Sequence, residues 1–447
     1  MIVGRIPVLL VLGACTTEPT STRVPEPQPF EGVEEPGFTM RDAVPVYGGT
    51  MESDGNTIVI ADPEHDEIIF VDAQDATVRN RLSLDDRSEP FRVDLHEGRV
   101  FVTLRGTGHV AALAMDGRGF QTTPVCAEPR GVDAVDDAVF VVCAGGELVE
   151  LDGSLDVIRR EMVATDLRDV VVEGGRVWVS TFRTATVLAL ERGSLTLEGR
   201  YAPRLDQTET VDQEAGLAWR MRGLDEGGVV VLHNGATTEP IRLEDPIDPD
   251  PNPPPFTPGG NSPSYGTGSG QPGSLGPTIS STHFTMVTVA GEVFTGGALQ
   301  STGDRYDFAL SGDDVYIAHA GLGQDGGRVF RPRSQGGVTR VSLDHATRHP
   351  EMVETASQFF VVDGTITSVA LAAGDKAWAF SRHPEALTDG LTETPLQDSS
   401  ESFGFELFHE VQSTGISCAT CHHPTTATAD GRSRAVGTKA YVDNGKR

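Results

Sequence analysis

Near the C-terminus, Gly415-Ile416-Ser417-Cys418-Ala419-Thr420-Cys421-His422-His423-Pro424 places two thiols and an imidazole within five positions. Two cysteines two residues apart, followed at once by histidine, suit one kind of chemistry. The five residues form one tight turn whose sulfurs reach a porphyrin edge and make thioether bonds to its vinyl groups. The imidazole then lies beneath the iron. The spacing predicts one covalently attached haem c, held by Cys418 and Cys421 with His422 as proximal ligand. Two other chemistries fit less well. Cys418, Cys421, His422 and His423 are four zinc-type donors, but they crowd into six residues, whereas a tetrahedral site draws on two separated pairs. A thioredoxin-like pair needs a βαβ setting, which the flanks do not offer.

Those flanks carry more. Gly404-Phe405-Glu406-Leu407-Phe408 has helical character, with apolar residues on one side, and precedes the cysteines. Pro424, Asp430-Gly431-Arg432 and Gly437 follow them. This order resembles the opening of the dihaem cytochrome c peroxidase and MauG-like family, in which a G-x-x-L-F helix leads into I-S-C-A-T-C-H, a proline and D-G-R. The resemblance spans Gly404 to Gly437. It implies haem attachment by Cys418 and Cys421, a proximal His422 and structural roles for the other matched residues. The family continues to a second C-x-x-C-H and distal ligands, whereas 25 residues (447 − 422) follow His422 here. The expectation is therefore a haem domain cut short in this chain. A pocket completed by a partner chain or by the body of the protein is the second reading, and a relic motif the third. Every methionine lies at or before Met352, and His423 is too close to His422 to reach the opposite haem face. His409, His383 or an upstream histidine remain as sixth ligands.

The N-terminus fits an exported protein. Arg5 precedes an apolar run from Ile6 to Leu12, too short to span a bilayer, and Leu12-Gly13-Ala14-Cys15 resembles a bacterial lipobox. That resemblance implies cleavage before Cys15 and lipidation of its sulfur, with residues 1–14 as signal peptide. A plain secretory signal is the alternative. Residues 15–44, rich in Pro, Thr and Glu, cannot bury enough apolar surface to order themselves and are expected to form a disordered tether. Periplasmic or cell-surface placement leaves Cys126 and Cys143 two outcomes, a disulfide or buried free thiols.

The chain between 45 and 400 must position whatever the ends carry. Five stretches there align, beginning at Phe91, Arg130, Arg168, Tyr306 and Ser368. In each, an alternating apolar segment meets a polar turn and then a second apolar segment. Its tenth residue after the start is aromatic: Phe101, Phe140, Trp178, Tyr316 or Trp378. Alternation marks strands with one face in, and the short polar turns mark antiparallel hairpins. Weaker copies lie at Ile58–Ile60 and Val229–Leu232. Seven units of roughly 40 residues predict an all-β, seven-bladed β-propeller, with a short, mostly α cytochrome c-type segment at 401–447. Stacked sandwiches and a β-solenoid are the competing architectures. The strand style is similar to YVTN-type extracytoplasmic propellers, "IIFVDAQDATV" from Ile68 being the nearest match. Residues 245–283, with seven prolines between Pro246 and Pro258 and then a Gly/Ser run, are expected to be a disordered insertion.

No other motif points to catalysis. His345 and His349 have i, i+4 spacing, but Pro350 follows at once and no glutamate makes an H-E-x-x-H, so they are expected in a loop. The net charge of -30 repels nucleic acid and suits a basic redox partner such as a cationic cytochrome. Membrane contact is expected only through the lipid. Together these features predict a haem c electron-transfer protein outside the cytoplasm. A peroxidase or MauG-like oxidase is the enzymatic alternative, and a non-redox binding scaffold the third.

Overall fold

A computed structural model describes residues 48–205, 213–237, 280–299, 305–322, 335–349, 357–362, 364–382 and 384–397. It also gives four backbone dipeptides, 422–423, 428–429, 435–436 and 442–443. Seven antiparallel sheets follow one another along the chain, each of four consecutive strands. They are blades 1 to 7, spanning 51–83, 90–124, 129–162, 167–201, 213–295, 305–361 and 366–395. The first strand of each blade lies innermost, around a common axis. The second half of blade 5 resumes at Ser280, so Ser280–Thr288 is strand where the insertion was expected to reach His283.

The aromatic repeat has a plain packing origin. Seven apolar clusters lie between the blades, each shared by two neighbours. Every repeat aromatic faces the blade that follows it. Phe101 packs on blade 3, Phe140 on blade 4, Trp178 on blade 5, Tyr316 on blade 7 and Trp378 on blade 1. In the two weak copies Val59 and Val230 occupy the same place. Removing a large ring from such a site costs about 3–5 kcal/mol, through lost burial and the cavity left behind.

The hairpins set the register. Glu97 and Gly98 (φ 48° and 73°) and Gly174 and Gly175 (φ 60° and 77°) make two-residue turns with both residues left-handed, which matches the twist of the flanking strands. In blade 7 Ala372 pairs with Lys376, so residues 373–375 form a three-residue turn. Aligning the copies on the aromatic therefore places its inner strand one residue out of step. Val369, not Ala370, faces blade 6.

Inner strands cannot hydrogen-bond to one another, because the blades splay away from the axis. Side chains fill the gap. Asp94 Oδ2 accepts from Ala134 N (2.9 Å), Asp133 Oδ2 from Val172 N (2.7 Å) and Asp169 Oδ2 from Met221 N (2.9 Å). Asp307 Oδ2 accepts from Val369 N (3.3 Å), and Ser368 Oγ from Thr50 N (3.1 Å). Between blades 5 and 6, Arg222 Nε donates to Phe308 O (2.9 Å). Each bond joins one blade to the next.

Blades 7 and 1 share no strand, so the ring closes mainly on side chains. Met51, Ile58, Ile60 and Ile69 pack against Trp378, Phe380 and Leu387. Polar contacts surround this core. Trp378 Nε1 donates to Ala73 O (2.9 Å), Ala373 N to Gly55 O (2.9 Å) and Gln397 Nε2 to Glu67 Oε2 (2.9 Å).

Asp169→Ala removes the acceptor of Met221 N and a buried counter-charge, and should destabilise the protein by about 3–5 kcal/mol. Arg118→Ala breaks an exposed pair and should cost under about 1 kcal/mol. Urea titration of both variants checks the contrast.

Candidate functional site

The inner strands begin with irregularities in their pairing. Register shifts leave Arg130, Arg168, Tyr306 and Thr367 outside the pairing in blades 3, 4, 6 and 7. Phe91 and Arg92 are skipped in blade 2, and residues 217–219 in blade 5. A bulge frees its residue from strict alternation and turns its side chain. Arg92 and Arg168 are consequently buried near the axis. The Arg168 guanidinium lies 5.1 Å from the ring centres of Phe91 and of Phe182, and 5.9 Å from that of Trp219. Burial, and then Arg92 and Arg130 nearby, pull its pKa well below the usual guanidinium value.

Arg220, on blade 5, ties together four blades, its own and blades 1, 4 and 6. It reaches Asp169 (3.5 Å), Asp307 (3.6 Å) and Glu52, while Arg92 Nε lies 3.2 Å from Asp169 Oδ1. Burial alone would lower the pKa of Arg220, but Asp169, Glu52 and Asp307 outweigh it and raise it. Gly49, at φ 76°, runs so close that a Cβ there would fall 1.3 Å from Arg92 Nη1.

A second cluster spans the seam of blades 1 and 7. His65 Nδ1 lies 2.6 Å from Asp62 Oδ2 and 3.1 Å from Glu385 Oε2. The backbone N–H groups of Glu64 and His65 donate to Asp62 Oδ1 at 2.9 and 3.2 Å and fix that carboxylate. The adjoining carboxylates, Asp62 first and then Glu385, raise the His65 pKa to about 10, whereas burial raises that of Glu385 to about 7. Arg382 Nη2 pairs with Glu64 Oε1 at 2.6 Å beside them. Among the described residues this is the one group of three His, Cys, Asp or Glu side chains whose donor atoms converge as metal ligands would.

A third cluster is wholly internal. His233 and His283 pair across blade 5 with ring centres 5.9 Å apart, and both are buried. His283 Nδ1 donates to Gly296 O (3.1 Å), so Nε2 must accept from Ser281 Oγ (2.6 Å). Ser281 then needs a donor from Gln213, whose amide nitrogen otherwise has no partner. Turning that amide over supplies it. Burial lowers the pKa of His233 to about 3, helped by His283, and that of His283 to about 4.

Residues singled out from sequence fall in several places. Cys15, His383, His409, Cys418 and Cys421 lie outside the described residues, as does the expected helix at Gly404. The backbone of His422 and His423 pairs with that of Thr428 and Ala429. Cys126, between blades 2 and 3, and Cys143, in the second strand of blade 3, are joined by a disulfide, with sulfurs 2.00 Å apart. His345 lies on a short helix, α1 (Leu343–Arg348), rather than in a loop, and His349 caps it. Ser342 accepts from His345 N at the helix start, a cap that the flanking proline obscured. The two rings stack 4.7 Å apart. The axial arginines had one legible trace: Arg92, Arg130 and Arg168 recur at intervals of 38.

The fold is that of a seven-bladed β-propeller. No family model and no curated protein matches the chain. Among solved structures, hydrazine synthase of Kuenenia stuttgartiensis is similar, with TM-score 0.56 and 14% identity over 79% of this chain and 97% of that one. A streptogramin B lyase is also similar, with TM-score 0.50 and 10% identity over 76% and 92%. At such identities the likeness is one of fold.

The histidine pair predicts an acid-labile fold. Both folded pKa values lie below the ordinary 6.5, so the unfolded chain takes up protons first as pH falls. This contribution is complete above about pH 6.5 and declines from there toward about pH 4 for His283 and about pH 3 for His233. At about pH 5 each ring should cost about 2 kcal/mol. The stability gap between wild type and His283→Gln should therefore narrow by that amount between about pH 7 and pH 5, as read by urea unfolding.

Proposed function

We propose that this protein is an extracytoplasmic electron-transfer component, a β-propeller carrying one covalent haem c. The observation that supports this reading most is Cys418-x-x-Cys421-His422 within flanks resembling the dihaem peroxidase and MauG-like family. The donor set fits the group: two thiols at thioether spacing and an imidazole in the next position. Bound there, haem c would supply a one-electron redox centre. Cys418 and Cys421 would fix its edge, and His422 would hold the iron from one side. The buried rings of His233 and His283 are engaged within blade 5, which leaves them poorly placed as a second axial ligand.

Export is supported independently. The Cys126–Cys143 bridge suits an oxidising compartment, where haem c is also attached. The lipobox-like Leu12-Gly13-Ala14-Cys15 would anchor the protein to a bacterial membrane through lipid on Cys15. Among the described residues no helix is long and apolar enough to cross a membrane. The charge of -30 would draw a basic redox partner, such as a cationic cytochrome, and hold off nucleic acid.

Expression with a haem c maturation system, followed by haem staining of a denaturing gel, tests this. The full chain should stain, and the double variant Cys418→Ser, Cys421→Ser should not. An unstained wild-type band would overturn the redox reading and leave a binding propeller. Peroxide turnover with a reduced cytochrome, if measured on the stained protein, would move the reading to a peroxidase.

A further inference from the structure

We propose that Asp62, His65 and Glu385 form a divalent cation site at the seam between blades 1 and 7. The inference stands apart from the haem reading and rests on the seam's own geometry. One imidazole nitrogen faces two carboxylate oxygens, at 2.6 and 3.1 Å. A nitrogen carries at most one proton, so it cannot make a full hydrogen bond to both. A cation among the three atoms satisfies all of them at once. Ligands about 2.1 Å from a common ion stand about 3 Å apart or somewhat more, near the two distances to His65, and the three donor atoms lie within 4.8 Å of one another.

Glu385 supplies a second, independent indication. The residue is 2% exposed, and its Oε1 is buried without a hydrogen-bond partner. An unpaired carboxylate oxygen inside a protein costs free energy unless something unseen occupies its lone pairs. A two-carboxylate set also carries the charge that a divalent ion neutralises. Beside the site, Arg382 on blade 7 is paired with Glu64.

The surroundings decide the kind of site. The Asp62 carboxylate is buried and fixed by two backbone N–H groups, while the His65 side chain is 28% exposed. Three protein ligands on one side leave the other coordination positions open toward solvent, where water or an oxygen ligand can bind. Oxygen-rich ligation with one imidazole suits manganese or zinc. Manganese is the cleaner probe, because it does not favour the thiols at Cys418 and Cys421.

Metal-free full-length protein titrated with MnCl2, with free ion followed by electron paramagnetic resonance, should take up about one ion tightly. Glu385→Gln should weaken that binding at least tenfold. Electron spin echo spectra of the bound ion should show coupling to an imidazole nitrogen, and His65→Gln, at a half-buried position, should abolish it. Binding that is only weak and unchanged in Glu385→Gln would overturn the proposal. So would a bound ion with no nitrogen coupling, or with coupling that survives His65→Gln. The spectra need only the wild type and the His65 variant, so a Glu385 variant that fails to fold leaves the test intact.

Discussion

The structure depends on how seven sheets meet around one axis. Each inner strand presents N–H groups that no neighbouring strand can satisfy, because the blades diverge from the centre. Unpaired backbone donors in a buried place are costly. Asp94, Asp133, Asp169 and Asp307 answer the need with one carboxylate oxygen each, given to the following blade. An aspartate carboxylate reaches across the gap and accepts from a backbone N–H, whereas between blades 5 and 6 Arg222 donates to a carbonyl instead.

Those carboxylates set the next requirement. Burial disfavours their charge, raising Asp94 to about 6 and Asp133 well above its usual value. Arg220 and Arg92 offset part of that penalty, and Glu52 enters from blade 1 to balance Arg220. The bulges at the strand starts turn arginines inward far enough to join this network. Buried charge of this kind contributes little net stability compared with apolar packing, but each member is expensive to remove singly. It fixes which residue lies where on the axis, and the apolar clusters between blades hold the ring together.

Much of this architecture was legible in the chain. Alternation and polar turns marked the hairpins, and the aromatic ten residues into each copy marked the face that meets the next blade. Blade 7 slipped by one residue because a three-residue turn looks like a two-residue turn until its pairing is known. The axial arginines were visible as a 38-residue recurrence, yet their meaning depends on bulges, which break the alternation used to find strands. Asp62, His65 and Glu385 were beyond sequence reasoning altogether. Glu385 stands 320 positions after His65, and only ring closure brings them together. The expectations of export and haem attachment run the other way: they rest on local spacings in segments that lie outside the described residues.

The closing seam has a consequence for how the chain reaches this state. Thr50 bonds to Ser368, a separation of 318 residues, and the other seam contacts span similar distances. Bringing such distant segments together carries an entropic cost that local hairpins avoid, and folds rich in these contacts form slowly. During synthesis from the N-terminus, blade 1 emerges before its partner face on blade 7. Met51, Ile58 and Ile60 stay uncovered until Trp378 arrives. That interval is when the unfinished ring is most exposed to aggregation and most dependent on chaperones.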